Sequence, residues 1–134
     1  MPWIGPHKLR SYLDRIGGVP DPDLPPEIPG LYVVTEQTWT AQPSRSAGAL
    51  YVGKSGVLRA RIGEFVSSAC GFHGTYAGRH SGGITVNEKY VRLAKHNPLD
   101  VWIACLPMQG ALPDQVAKAE SELIGKLHPS CNKK

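Results

Sequence analysis

Cysteine is scarce in this 134-residue chain, and Cys70, Cys105 and Cys131 are odd in number and far apart, which argues against a disulfide framework. Apolar runs are short, so no segment reads as a membrane span. The first residues, Met1-Pro2-Trp3-Ile4-Gly5-Pro6-His7-Lys8, lack the basic region and long apolar stretch of a signal peptide. A reducing, cytoplasmic setting is the resulting expectation. No internal repeat is visible, and the length is too short for a barrel enzyme or a doubly wound nucleotide fold with its own substrate domain. Disorder is excluded too: hydrophobic residues make up 41% and charged residues only 19%. A domain of this size buries roughly two thirds of its unfolded surface and folds without staples.

What is present is an uneven distribution of charge. Residues 1–44 carry three basic and five acidic side chains, whereas residues 45–95 carry eight basic ones against only Glu64 and Glu88. Residues 96–134 hold four of each. A basic middle third suits a polyanionic partner.

Residues 1–28 read as a short helix followed by a proline-rich arm. Leu9, Leu13 and Ile16 recur at helical spacing, Gly17-Gly18 end the run, and five prolines follow between Val19 and Pro29. Residues 29–134 form the second unit. Two short strands, 30–34 and 49–53, share a Leu-Tyr-Val core across a polar connection. A helix over 56–68 buries Leu58, Ile62 and Phe65. Residues 69–83 are glycine-laced and read as a working surface. A second helix over 85–95 turns Val86, Tyr90, Leu93 and Ala94 inward, a third strand covers 99–106, and the last helix covers 113–127. The expected fold is α+β: a small three-stranded, mainly antiparallel sheet flanked by helices, in the order β-β-α-α-β-α.

Two polar side chains interrupt apolar helix faces. On the last helix Glu120 falls between Val116 and Ile124, inside the stripe that Leu123 and Leu127 complete. A carboxylate there needs a metal, an arginine or a hydrogen-bond network beside it, unless its head reaches water at the stripe's edge. On the first long helix Arg61 lies beside the apolar stripe while Arg59 points away, as a solvated or phosphate-touching charge. Stem packing with a snorkelled head is the plainer account of Arg61. Tyr32 and Tyr51 alone are ordinary sheet aromatics; with Arg61 and Glu120 also turned inward, their phenols gain interest.

Gly30-Leu31-Tyr32 and Tyr51-Val52-Gly53 resemble the two signature triplets of the GIY-YIG nuclease superfamily. Arg61, ten positions after Tyr51, resembles that family's helix arginine. Glu120, Leu123-Ile124, Pro129 and Asn132 resemble its glutamate helix and the Pro-x-x-Asn that follows. The resemblance spans about residues 29–132; Leu31 and Val52 are its small departures, and the arm 1–28 and the loop 69–83 match nothing general in the family.

The resemblance implies metal-assisted hydrolysis of double-stranded DNA. Glu120 is then the ligand of Mg²⁺, with Mn²⁺ as a substitute, and Arg61 clamps the phosphate. Tyr32 is the water-activating base, Tyr51 the second tyrosine, and Gly53 and Asn132 support the site. His73 and His80 offer an alternative base near neutral pH. Lys54, Arg59, Arg79, Lys89 and Arg92 are expected along the DNA. A small restriction-like endonuclease acting as a homodimer on DNA, with no membrane contact, is the favoured reading. Its alternative is a DNA-binding or repair module of the same fold that does not cleave.

Overall fold

The computed structural model describes residues 3–13, 25–71 and 81–132. Its sheet has four antiparallel strands rather than three: β1 (Ile4–Lys8), β2 (Gly30–Thr35), β3 (Ala49–Ser55) and β4 (Trp102–Pro107), in the order β1-β4-β2-β3. The added strand lies in the N-terminal unit, just ahead of the residues Leu9, Leu13 and Ile16 whose spacing predicts a helix. That helix, α1, is a single turn over Leu9–Leu13, and Ile16 falls outside the described residues. Pairing decides the conformation of residues 4–8: β4 is flanked by β2 on one side only, and β1 occupies the other, with a bulge between Ile4 and His7.

Helices cover both faces. On one face α2 (Leu58–Ala69) and α3 (Ser81–Val86) pack over Tyr32, Val34, Ile103 and Cys105, with Leu58, Ile62 and Phe65 of α2 fully buried as their spacing requires. On the other, α4 (Pro113–Leu127) lays Leu127 and the flanks of Leu123 and Ile124 onto Val33, Val52 and Ala104. Burying a leucine in this way contributes about 2 kcal/mol.

The end of the proline arm has a definite task. Prolines donate no hydrogen bond but keep their carbonyls. Ile28 and Pro26 carbonyls accept from the first amides of α2, Leu58 N at 3.0 Å and Arg59 N at 3.2 Å. The Pro25 carbonyl accepts from Arg59 Nε at 2.8 Å, and Glu27 pairs with Arg59 Nη1 at 3.2 Å. The start of α2, which lacks a capping side chain, is thereby satisfied.

The segment after α3 departs from expectation. Residues 81–83, read as loop, open α3, and Asn87–Leu93 continue it as a π-helix. A π-helix turns about every 4.4 residues, so side chains rotate by roughly 82° per residue instead of 100°. Val86 stays inward and Tyr90 half-buried, but Leu93 swings out to 78% exposure, and Ala94 is exposed too.

Candidate active site

The register of the β2–β3 hairpin sets the site. Tyr32 lies opposite Gly53, and Val34 lies opposite Tyr51, so both phenols project from the same sheet face. The Tyr32 ring occupies the space over Gly53, where a Cβ would fall on the ring itself. The Tyr51 ring lies in the same manner over the backbone of Gly82 in α3. Phe65 closes the group: it stacks on Tyr51 with centroids 5.8 Å apart and meets Tyr32 edge-on at 6.3 Å, while the tyrosine centroids are 5.9 Å apart.

The two phenols differ in environment. Tyr32 is 1% exposed, and burial pushes its pKa far above the ordinary tyrosine value, reinforced by Tyr51. Its hydroxyl is hydrogen-bonded to Tyr51, and the positive charge of Arg61 opposes the rise. Tyr51 is half-buried. Burial raises its pKa as well, while the hydrogen bond from Tyr32 and the charge of Arg61 pull it down. Tyr51 also senses the negative charge of Glu120.

Arg61 stands in the first turn of α2, about a third exposed, and its Nη1 donates to Glu64 Oε1 at 2.7 Å. Glu120 comes from the middle of α4, half-buried; burial raises its carboxyl pKa, and the attraction of Lys54 opposes the rise. Lys54, next along β3, is exposed at the rim. Beside it a recess of about 200 Å³ opens between Pro29, Ala111, Pro113 and Val116.

Asn132 acts on the site through the backbone. Val52 N–H donates to its Oδ1 at 2.8 Å, and its Nδ2 donates to the Val52 carbonyl at 2.8 Å. Together with Ser130 N to Ala49 O at 3.1 Å and Cys131 N to Leu50 O at 2.7 Å, it gives the edge of β3 a short partner. That edge is held on both sides of the residue separating Tyr51 from Gly53.

The structure thus brings Tyr32, Tyr51, Gly53, Lys54, Arg61 and Glu120 into one neighbourhood, with Asn132 behind it. Arg59 is turned instead to the proline arm. Lys89 and Arg92 are exposed on the π-helix. His73, Arg79 and His80 lie outside the described residues. Sequence reasoning took Phe65 for core alone and overlooked Glu64 and Gly82. The i,i+3 spacing of Arg61 and Glu64 is the signal that reveals their pairing. For Gly82 no comparable signal exists, because its role follows from the approach of α3 to β3.

No protein-family model matches this sequence, and no curated protein matches it either. Two solved structures do, both of the GIY-YIG N-terminal endonuclease domain of UvrC from Thermotoga maritima, each a point mutant bound to its catalytic divalent cation. One replaces a tyrosine by phenylalanine and is 18% identical to this chain; the other replaces an asparagine by alanine and is 16% identical. Each has a TM-score of 0.50 and covers 83% of this chain and 89% of its own. With its antiparallel sheet, its paired triplets on adjacent strands and its helices on both faces, this chain has the fold of a GIY-YIG endonuclease domain.

Proposed function

We propose that the protein is a divalent-metal-dependent endonuclease acting on double-stranded DNA, of the restriction-like kind. Residues 29–134 supply the catalytic unit, and residues 1–28 supply an arm and the strand β1. The observation that carries this reading is the convergence of a tyrosine pair, an arginine and a half-buried carboxylate on this fold. The exposed Lys54, Lys89 and Arg92 suit a phosphate backbone, and DNA affinity should fall steeply with salt.

Hydrolysis of a phosphodiester forms a bond from water oxygen to phosphorus and breaks the bond to one sugar oxygen. Negative charge grows on the nonbridging oxygens, and the Arg61 guanidinium meets it with fixed N–H donors. Glu120 fits a hard cation. It is a lone half-buried carboxylate, destabilised by burial, and the described residues contain no group of three His, Cys, Asp or Glu that would form a closed cage. Such a donor set leaves room for water and phosphate oxygens, as Mg²⁺ prefers and as Mn²⁺ also accepts. Glu120 would hold such a cation, which would supply positive charge to the phosphate oxygens and lower the pKa of water there.

The two tyrosines divide the remaining work. Tyr51, half-buried, is the phenol that water reaches; in its phenolate form its oxygen orients the attacking water and takes the water's proton, returning to the neutral phenol as the oxygen–phosphorus bond forms. This departs from the expectation that Tyr32 is the base: Tyr32 is buried, burial keeps its phenol far from ionisation, and it packs behind Tyr51 instead. The leaving sugar oxygen takes a proton from solvent.

The deciding experiment incubates the protein with supercoiled plasmid and Mg²⁺ or Mn²⁺, with and without chelator, and maps the ends produced. Nicking or linearisation that disappears with chelator is expected. Glu120→Gln should keep DNA binding and lose nearly all cleavage. Binding without any metal-dependent break would leave the non-cleaving module as the correct reading.

A further inference from the structure

Arg61 is the side chain that the proposed reaction asks to meet a phosphate, yet it is already engaged. Glu64 Oε1 accepts from Nη1 at 2.7 Å, and the positive charge of the same guanidinium acts on the Tyr32 phenol. A guanidinium is planar and has five N–H donors in a fixed fork. The Glu64 anchor restricts the rotation of that fork while other donors remain available to an incoming oxygen.

The location of Glu64 is costly for a DNA-binding surface. Residues 45–95 carry eight basic side chains and two acids, and one of those acids stands beside the phosphate-facing arginine, about a third exposed. Its charge repels a polyanion in the ground state. A half-exposed i,i+3 ion pair adds little to stability, so folding gives no strong reason for its position. What it does fix is geometry. A transition-state contact needs its donor within roughly half an ångström, and a free arginine side chain samples far more than that.

We propose that Glu64 is a positioning residue: it holds the Arg61 guanidinium ready for the transition state and lowers ground-state affinity for DNA in doing so. The inference rests on the nuclease reading of the same site. It differs from a role on the metal, because it acts through the hydrogen bond from Arg61 Nη1 to Glu64 Oε1.

Two variants separate the anchor from the charge. Glu64→Ala removes both, whereas Glu64→Gln removes the charge and keeps an amide oxygen able to accept from Nη1. Single-turnover cleavage of one duplex, its dissociation constant across a salt series and the Mg²⁺ midpoint are measured for each, with a thermal melt to verify folding. Glu64→Ala should cleave about tenfold or more slowly and bind DNA about threefold more tightly, with a steeper salt dependence. Glu64→Gln should show the same tighter binding with a smaller loss of rate. Cleavage within twofold of wild type in Glu64→Ala overturns the proposal. So does a parallel fall of rate and affinity, or a several-fold rise in the Mg²⁺ midpoint, which would put Glu64 on the cation. A wild-type protein that never cleaves removes the nuclease reading and this inference with it. Wild-type cleavage with an unaltered Glu64→Ala removes the inference alone.

Discussion

Asn132 offers the sharpest test of how the C-terminal segment supports the site. Its amide makes two hydrogen bonds to one residue, accepting from Val52 N and donating to Val52 O, each at 2.8 Å. Val52 is itself 0% exposed, and among the described residues no other strand flanks this edge of β3. Asn132→Ala removes both bonds. At about 1 kcal/mol net for each, the loss is about 2 kcal/mol. With an unfolding entropy of roughly 2.1 cal/mol/K per residue, that lowers Tm by about 7 °C. Asn132→Asp is more informative because it preserves shape. Its carboxylate still accepts from Val52 N–H but sets a second oxygen against the Val52 carbonyl, so at neutral pH it should be at least as destabilising as alanine. Protonation restores a donor. The folded state therefore raises the pKa of the new carboxyl, and stability is regained below about pH 4 and lost as pH rises. Urea titrations followed by tryptophan fluorescence at pH 7 and pH 4, for wild type and both variants, measure this. An alanine variant within about 0.5 kcal/mol of wild type, a quarter of the expected loss, or an aspartate variant insensitive to pH, would refute the reasoning.

Gly53→Ala drives a methyl into the Tyr32 ring and should cost about 1–3 kcal/mol; in the background of Tyr32→Ala the same change should cost almost nothing, which a double-mutant cycle reads directly. Burial pushes the Cys105 thiol up to about 12. The unfolded chain thus ionises first, and stability should fall as pH rises from about 9 toward 12, by at most roughly 4 kcal/mol; Cys105→Ala should flatten that slope in denaturant titrations at pH 8 to 11. Cleavage by Tyr51→Phe, Tyr32→Phe, His73→Ala and His80→Ala across about pH 5.5–9.5 identifies the base. A phenol raised by burial predicts a rate still climbing above pH 8 and a severe loss in Tyr51→Phe, whereas a plateau near pH 7 with an inactive His80→Ala would assign the role to a histidine.

The elements that the sequence makes plain are those whose periodicity and partners are local. Helix α4 occupies Pro113–Leu127 as its proline start and apolar stripe predict, and α2 turns Leu58, Ile62 and Phe65 inward at their spacing. The tyrosine triplets are legible because each is a short strand with glycine beside it. Strand β1 is not, since Ile-Gly-Pro-His-Lys has little intrinsic strand preference and becomes a strand only against β4. Leu93 is missed for a different reason: a π-helix alters the angle per residue, and no composition signal announces it. Glu64 was overlooked because a charge on a basic face reads as solvated until its partner's direction is known.

The two triplets are one cross-strand unit rather than two independent motifs. Tyr32 needs a residue without a side chain opposite it, and the antiparallel register supplies Gly53, the last residue of the other triplet. Tyr51 lies two residues earlier on β3, on the same face and diagonal to Tyr32, which is the separation at which long side chains on paired strands meet. A slip of one residue would turn one tyrosine onto the α4 face and leave the other against a Cβ. Packing of Tyr32 on Gly53 therefore fixes both the register of the hairpin and the contact of the phenols. The connection between Glu36 and Gly48 takes no part in that constraint. It is held by packing of its own: Trp39, 8% exposed, meets Trp3 edge-on at 5.6 Å and joins Ala47 in the core on the α4 face. A concavity of about 290 Å³ lined by Gln37, Thr38, Trp39, Thr40 and Gln42 lies beside it. One hairpin thus has two separately fixed ends: the tyrosine–glycine packing sets the site at the Gly53 end, and Trp39 anchors the other.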